Sequence, residues 1–435
     1  MDPTLIAGIG ILFMVALFFL KVPVAYGMAI TGFLGLWHLR SLDATLSLLA
    51  RDLYSTFNNY SLTVIPAFIL MGYFASNSDI GKDIFETASK WVGNIRGSLC
   101  MAVMCASAMF GAVSGSSVAT TVTMGVMSLP VMKKHHYSMM LATGSLAAGG
   151  ILALLIPPSI TFMLYAVVTE QSVGKLFIAG ILPGILLTLL YCTTIGIAVR
   201  IKPDLASVTG KSFTMKEKIA SINFGVLGVG LTFLLVMGGI FFGIYGATEC
   251  GSAGAFIVLI LGIARRRLKL HGVVGALAES TKLAAMVLLL VAAAIIFGRF
   301  MILSRFPMTV ASTLTGLSVP PVVVVILILI IWLILGCFVE ALPLLLLTVP
   351  VFQPIILRLG YDPIWWGVMV VLGIAMGGIT PPVGMQVYVM KGIAPDIPME
   401  TIFQGAVIFL FPLIVCITLV IVFPQIGLFL PSLMK

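Results

Sequence analysis

The residues able to do chemistry lie among small hydroxyl-bearing and helix-breaking side chains, not in clusters of charge. Ser114-Gly115-Ser116-Ser117 is followed by Thr120, Thr121 and Thr123, which gathers hydroxyls and peptide carbonyls in one short stretch. Such neutral, hard oxygens suit Na⁺ better than a transition metal. Small residues also let membrane helices pack closely, but Ser-Gly-Ser-Ser at a turn favours an ion site. Glu340 is a lone carboxylate in an apolar block. A charge at that depth costs roughly 2.5–3.5 kcal/mol, so it needs a partner, a function or a helix-capping role. Thr380 directly precedes Pro381 and can add a hydroxyl beside carbonyls freed by the proline. Gln386 and Thr120 are candidate substrate contacts. Arg299 closes a long apolar run from Leu283 to Gly298; it could hold an anionic substrate bidentately or pair with Glu340. Arg305 can snorkel to the interface.

Enzymatic constellations fail in turn. Gly210-Lys211-Ser212 lacks the earlier glycine of a P-loop, because Leu205 stands there. No HExxH occurs, and Ala112 replaces the leading glycine of a serine intramembrane protease motif. His38, His135, His136 and His271 fall at segment ends, away from a buried Ser–His pair.

The elements that position these residues follow from composition. Of 435 residues, 60% are hydrophobic and 9% charged, with a mean hydropathy of +1.20. Soluble proteins carry about 25% charged residues, so a soluble enzyme, a nucleic-acid module, a disordered chain and a disulfide scaffold are excluded. The net charge of +9 resides in short connectors, where orientation rules place it, and signals no nucleic acid. Stretches such as Val322 to Gly336 are apolar on every side, so they span the lipid bilayer as helices. The expected fold is an all-α polytopic membrane protein with about ten crossings of roughly 20 residues each. Leu5 to Leu20 reads as a retained span; five of the six cysteines are isolated in apolar segments, none forms a CxxC pair, and they read as buried inert thiols.

Placing the basic connectors in the cytoplasm fixes parity. The segment 97–132 then enters and leaves on one side, broken at Gly111 to Ser117, and reads as a re-entrant hairpin. The segment 321–356, broken at Gly336 to Pro343, is a second hairpin entering from the opposite side. Both termini fall in the periplasm. Leu129-Pro130-Val131 is echoed by Val349-Pro350-Val351, and Gly149-Gly150 to Pro157-Pro158 by Gly377-Gly378 to Pro381-Pro382. Similar order with opposite insertion makes an inverted repeat: 1–222 with a broken helix over 137–168, and 223–435 with a broken helix over 363–390. Ordinary proline kinks are the bland alternative. Paired breaks in two halves, however, point to a transporter's midplane site, where freed carbonyls meet a cation and freed N–H groups an anion.

These stretches also carry a family resemblance. Gly111 to Ala119 (GAVSGSSVA), Ile156 to Ser159 (IPPS), Ala179 to Gly184 (AGILPG) and Gly378 to Gly384 (GITPPVG) resemble the large membrane subunit of tripartite ATP-independent periplasmic (TRAP) transporters, over essentially the whole chain. The resemblance implies a bacterial inner-membrane importer of organic acids, driven by sodium and working as an elevator. It implies a small four-helix membrane subunit and a periplasmic substrate-binding protein as partners. It also implies two or more Na⁺ ions: one at Ser114, Gly115, Ser116 and Ser117 with the break from Gly150 through Pro157 to Ser159. The second would lie at Gly336 to Glu340 with Gly377, Gly378, Thr380 and Pro381. Two departures stand out: Gly246 to Gly251 (GATECG) replaces the usual Thr-Pro-Thr-Glu-Ala-Ala, and Arg299 stands where a neutral residue is expected. A stand-alone sodium/dicarboxylate-type carrier and a passive channel are the competing readings. Uptake without a binding protein would favour the first, and downhill flux without sodium the second.

Overall fold

A computed structural model describes residues 2–208, 212–316 and 320–434; Gly210 and Lys211 of the discarded P-loop reading lie outside it. The described residues form α-helices and two short 3-10 turns. The first group is α1 (Pro3–Phe19), α2 (Val24–Leu39), α3 (Leu42–Phe57), α4 (Val64–Asn77) and α5 (Ile80–Val92). Next come α6 (Ser98–Ser114), α7 (Ser117–Lys134), α8 (Met139–Leu155), α9 (Ile160–Thr169), α10 (Val173–Ile201) and α11 (Met215–Ser221). They are followed by α12 (Phe224–Phe241), α13 (Ala247–Ala264), α14 (Leu270–Leu303), α15 (Phe306–Gly316), α16 (Pro321–Gly336) and α17 (Ala341–Arg358). The chain closes with α18 (Pro363–Gly378), α19 (Met385–Ile393), α20 (Met399–Ile408), α21 (Leu410–Val422) and α22 (Gln425–Ser432).

Among the described residues seven stretches are long and apolar enough to cross a membrane, two of them (Met139–Thr169 and Met399–Val422) joining consecutive helices, or eight if a bent pair counts as one. Three of the ten crossings expected, Pro3–Phe19, Val24–Leu39 and Pro363–Gly378, are apolar helices of 16 or 17 residues, just under the length of a full span. The bent pair was not anticipated: the helix ending at Asn77 turns by 68° into α5. The reason is local. Asp79 adopts a left-handed φ of 56°, and α5 carries Lys82, Asp83, Glu86 and Lys90, charges that cannot enter lipid.

Both segments read as hairpins fold back on themselves. The backbone N–H of Leu99, at the start of α6, donates to the hydroxyl of Tyr137, just beyond α7. In the second pair, Trp332 Nε1 donates to Thr348 Oγ1 at 2.8 Å, and the Trp332 and Phe352 rings lie 5.9 Å apart. The broken helices α8–α9 and α18–α19 occupy the middle of the molecule. Every residue of α8 from Leu141 to Leu155 is buried, as is α18 from Ile364 to Gly377. Burial within protein is the condition under which broken backbone survives at membrane depth. Small residues make it achievable: a Cβ on Gly405 of α20 would come within 1.9 Å of the Met140 carbonyl oxygen at the start of α8.

The basic connectors are tied to neighbouring elements by local pairs. Lys133 pairs with Asp396 at 2.6 Å, Arg267 with Asp79 at 3.1 Å, and Trp91 Nε1 donates to the Lys218 carbonyl. Arg265 meets Asp83, and Asn223 donates to the same carboxylate, so α5, α12 and α13 are braced together. The Asp396 carboxyl is held below the usual carboxylate range, chiefly by its hydrogen bond from Lys133.

Candidate functional site at the hairpin tips

The turn between α6 and α7 is built for close approach. Gly115 has a φ of +59°, and a Cβ there would lie 2.8 Å from the Pro158 carbonyl oxygen in the α8–α9 break. The Ile160 N–H donates to the Gly115 carbonyl at 3.4 Å. The second tip meets its own break in the same manner: Gly384, φ +56°, donates to the Cys337 carbonyl at 3.1 Å. Both Pro-Pro bonds, Pro157-Pro158 and Pro381-Pro382, are cis.

At the first tip Ser116 caps α7 through the Ala119 N–H, and Ser114 Oγ lies 2.9 Å from Thr120 Oγ1. Ser159 caps α9 and donates to the Leu154 carbonyl at 2.5 Å, recovering an acceptor that the break would otherwise leave free. Gly150 lies where α8 passes α7; a Cβ there would sit 1.8 Å from Thr121 Oγ1 and 2.9 Å from the Ser117 carbonyl oxygen. Thr121 in turn donates to Gln386 Oε1 of α19 at 2.8 Å, which joins the first hairpin to the second break.

Thr161 was not singled out in the sequence. It is fully buried, and its hydroxyl has no hydrogen-bond partner among the described residues. An orphaned buried hydroxyl costs about 1–3 kcal/mol; the hydroxyls of Thr31, Ser98, Ser107 and Tyr191 share that state, but among these Thr161 alone lines the cavity between the hairpin tips. The available signal was weak: a threonine two places after Ser159, in the first turn of the helix beyond the prolines.

At the second tip Glu340 stands at the N-cap of α17 but makes no side-chain cap bond. Gly336 and Gly377 let α16 and α18 touch backbone to backbone, since a Cβ on Gly377 would lie 2.4 Å from Gly336. Thr380 donates to the Met376 carbonyl at 2.6 Å, which leaves its lone pairs free. A cavity of about 410 Å³ lies between the tips, lined by Gly72, Ser114 to Ala119, Thr161 and Glu340 among others. Ser117 and Glu340 continue into a small void that also touches Gly378 and Gln386. Thus the two hairpins, the first break and α4 line the cavity, and the second break lines the small void beside it. Neither void is lined by a lysine or an arginine.

Arg299 lies elsewhere. Its Nε donates to Asp52 Oδ2 at 3.0 Å and its Nη2 to Oδ1 at 3.4 Å, so its partner is Asp52 of α3 and not Glu340. The pair faces a separate cavity of about 460 Å³ with Asn59, Glu170 and Gln353. Asp52 is 6% exposed and Arg299 52%, so the pair lies between the exposed and buried limits. Arg299→Gln is expected to cost about 1–3 kcal/mol by stranding the Asp52 carboxylate. Adding Asp52→Asn should recover most of that loss, as read by thermal unfolding in a double-mutant cycle.

A family model, the DctM component of tripartite ATP-independent periplasmic transporters, matches residues 11–426. The chain belongs to this family. A C4-dicarboxylate TRAP transporter large permease from Pseudomonas aeruginosa is 34% identical over 390 residues, covering 88% of this chain and 89% of that protein. A sialic acid TRAP transporter large permease from Vibrio cholerae is also 34% identical, with the same coverage of each. Among solved structures, the YdaH transporter of Alcanivorax borkumensis superposes with a TM-score of 0.64 at 16% identity, covering both chains fully. MtrF of Neisseria gonorrhoeae gives 0.60 at 13% identity, over 95% of this chain and 94% of that one. At those identities the likeness concerns the fold. The DctM-family relatives are transporter permeases and not enzymes, and this chain is a multi-pass membrane permease.

Proposed function

We propose that this DctM-family permease is a sodium-coupled secondary importer of a small organic anion, a carboxylate or sulfonate, in a bacterial inner membrane. The observation that carries the reading is the orphaned Thr161 hydroxyl, facing a tip rich in neutral oxygens beside a broken helix. Ser114, Gly115, Ser116, Ser117, Thr161 and the Gly150–Ser159 break would hold one Na⁺. Gly336 to Glu340 with Gly377 to Pro381 would hold a second. Bound there, sodium supplies positive charge in a volume lined by no basic side chain. The residues around it hold the cation with oxygens and present the N–H groups of the half-helices α7, α17 and α19 to an anion. Gln386 and Thr120 are placed to orient it.

Two Na⁺ with a monoanion carry net positive charge inward, and each charge moved through 100 mV is worth about 2.3 kcal/mol. We read the halves 1–222 and 223–435 as an inverted repeat, with the hairpins and broken helices as the body that slides as an elevator. Both termini would be periplasmic. TRAP transporter permeases for C4-dicarboxylates, for sialic acid and for isethionate among the relatives support an organic acid substrate. The family supports a small membrane subunit and a periplasmic binding protein as partners.

The test is uptake of such acids into proteoliposomes holding the permease, its small subunit and its binding protein. An inward sodium gradient should drive accumulation, and omission of the binding protein should stop it. Ser116→Ala should shift sodium activation to higher concentration with little change in expression. Accumulation without a sodium gradient would overturn the coupling.

A further inference from the structure

On another side of the second hairpin lies a cavity of different character, about 570 Å³, between α1, the α14–α15 turn and the arms of α16 and α17. Met14, Phe18, Leu335, Phe338 and Val351 are among its walls, and Thr348 is its one polar lining residue. That hydroxyl is already engaged twice, donating to the Leu344 carbonyl and accepting from Trp332. Water therefore finds no unmet partner in the cavity, and an organic anion finds no cation.

A flexible apolar chain matches this lining. Phe19 and Phe338, on the rim, are 85% and 63% exposed, so the cavity is continuous with the lipid-facing surface. Lys21 follows Phe19 and Leu20 at the end of α1, exposed and without an ion pair among the described residues. An ammonium there complements a lipid phosphate while its stem runs along apolar surface. We propose that an acyl chain of an anionic phospholipid occupies this cavity, with its phosphate on Lys21, and so touches α1 and the second hairpin at once. The inference rests on no assumption about sodium or substrate.

Trp332 reports on it. This side chain is fully buried but packs on Phe352, whose ring lines the cavity. In a variant keeping Trp332 alone, with Trp37, Trp91, Trp365 and Trp366 changed to Phe, its fluorescence should fall in vesicles of phosphatidylglycerol with brominated acyl chains. Val351→Phe, which fills the cavity, should abolish that fall. Equal fluorescence in brominated and unbrominated vesicles, or a fall that survives Val351→Phe, would overturn the proposal. Native mass spectrometry of the otherwise unaltered protein decides independently should the tryptophan-depleted variant not fold. A phospholipid retained after delipidation should be lost in Val351→Phe and kept in Ile334→Phe, whose site is lipid-exposed but outside the cavity. No retained phospholipid, or the same retention in all three proteins, contradicts it.

Discussion

Thr161→Val is expected to raise the melting temperature of the purified permease in potassium chloride and to remove most of the further rise in sodium chloride. The two signs come from one atom. Without a partner, the buried hydroxyl is a net cost of about 1–3 kcal/mol, and a methyl of similar shape relieves it. With sodium bound, the same oxygen would be a ligand, and its removal weakens binding that otherwise stabilises only the folded state. A merely structural threonine would lower stability equally in both salts when replaced. A threonine with no role at all would leave the sodium response as it was. Paired thermal scans in the two salts at equal ionic strength separate these cases.

Gly150→Ala should abolish sodium-driven uptake while leaving the protein folded. In the interior of α8 alanine is the better helix former by about 1 kcal/mol. Against this, extra atoms in a tightly packed site cost about 1–3 kcal/mol, so a net loss of up to about 2 kcal/mol remains. Locally the effect is severe. The new Cβ would stand 1.8 Å from Thr121 Oγ1, so Thr121 must leave its 2.8 Å hydrogen bond to Gln386. The Ser117 backbone, 2.9 Å from the same point, must also retreat from the first tip. Uptake assays beside melting curves check this. Normal uptake in Gly150→Ala would show that α7, α8 and α19 need not meet for transport.

The breaks at the site were legible because Gly and Pro act through local geometry. Gly115 and Gly384 lie at positive φ, and both Pro-Pro pairs end helices at the expected positions. The first hairpin expected over 97–132 is formed by α6 and α7, and the second over 321–356 by α16 and α17. What the sequence withheld depends on distance through space. Arg299 and Glu340 are both charges within apolar blocks, which suggested each other as partners, but nothing in their spacing encodes that Asp52 lies beside Arg299. Thr161 looks like any residue of a first helical turn until burial and the lack of a partner set it apart.

The most direct test of sodium coupling needs no substrate: the thermal stability of the purified permease in sodium, potassium and choline chloride at constant ionic strength. A ligand bound only by the folded state stabilises it by RT ln(1 + [L]/Kd), about 2.7 kcal/mol at a hundredfold excess over Kd. A saturable rise with sodium alone is expected, mostly removed in Thr161→Val and weakened in Ser116→Ala. Identical curves in the three salts would contradict it.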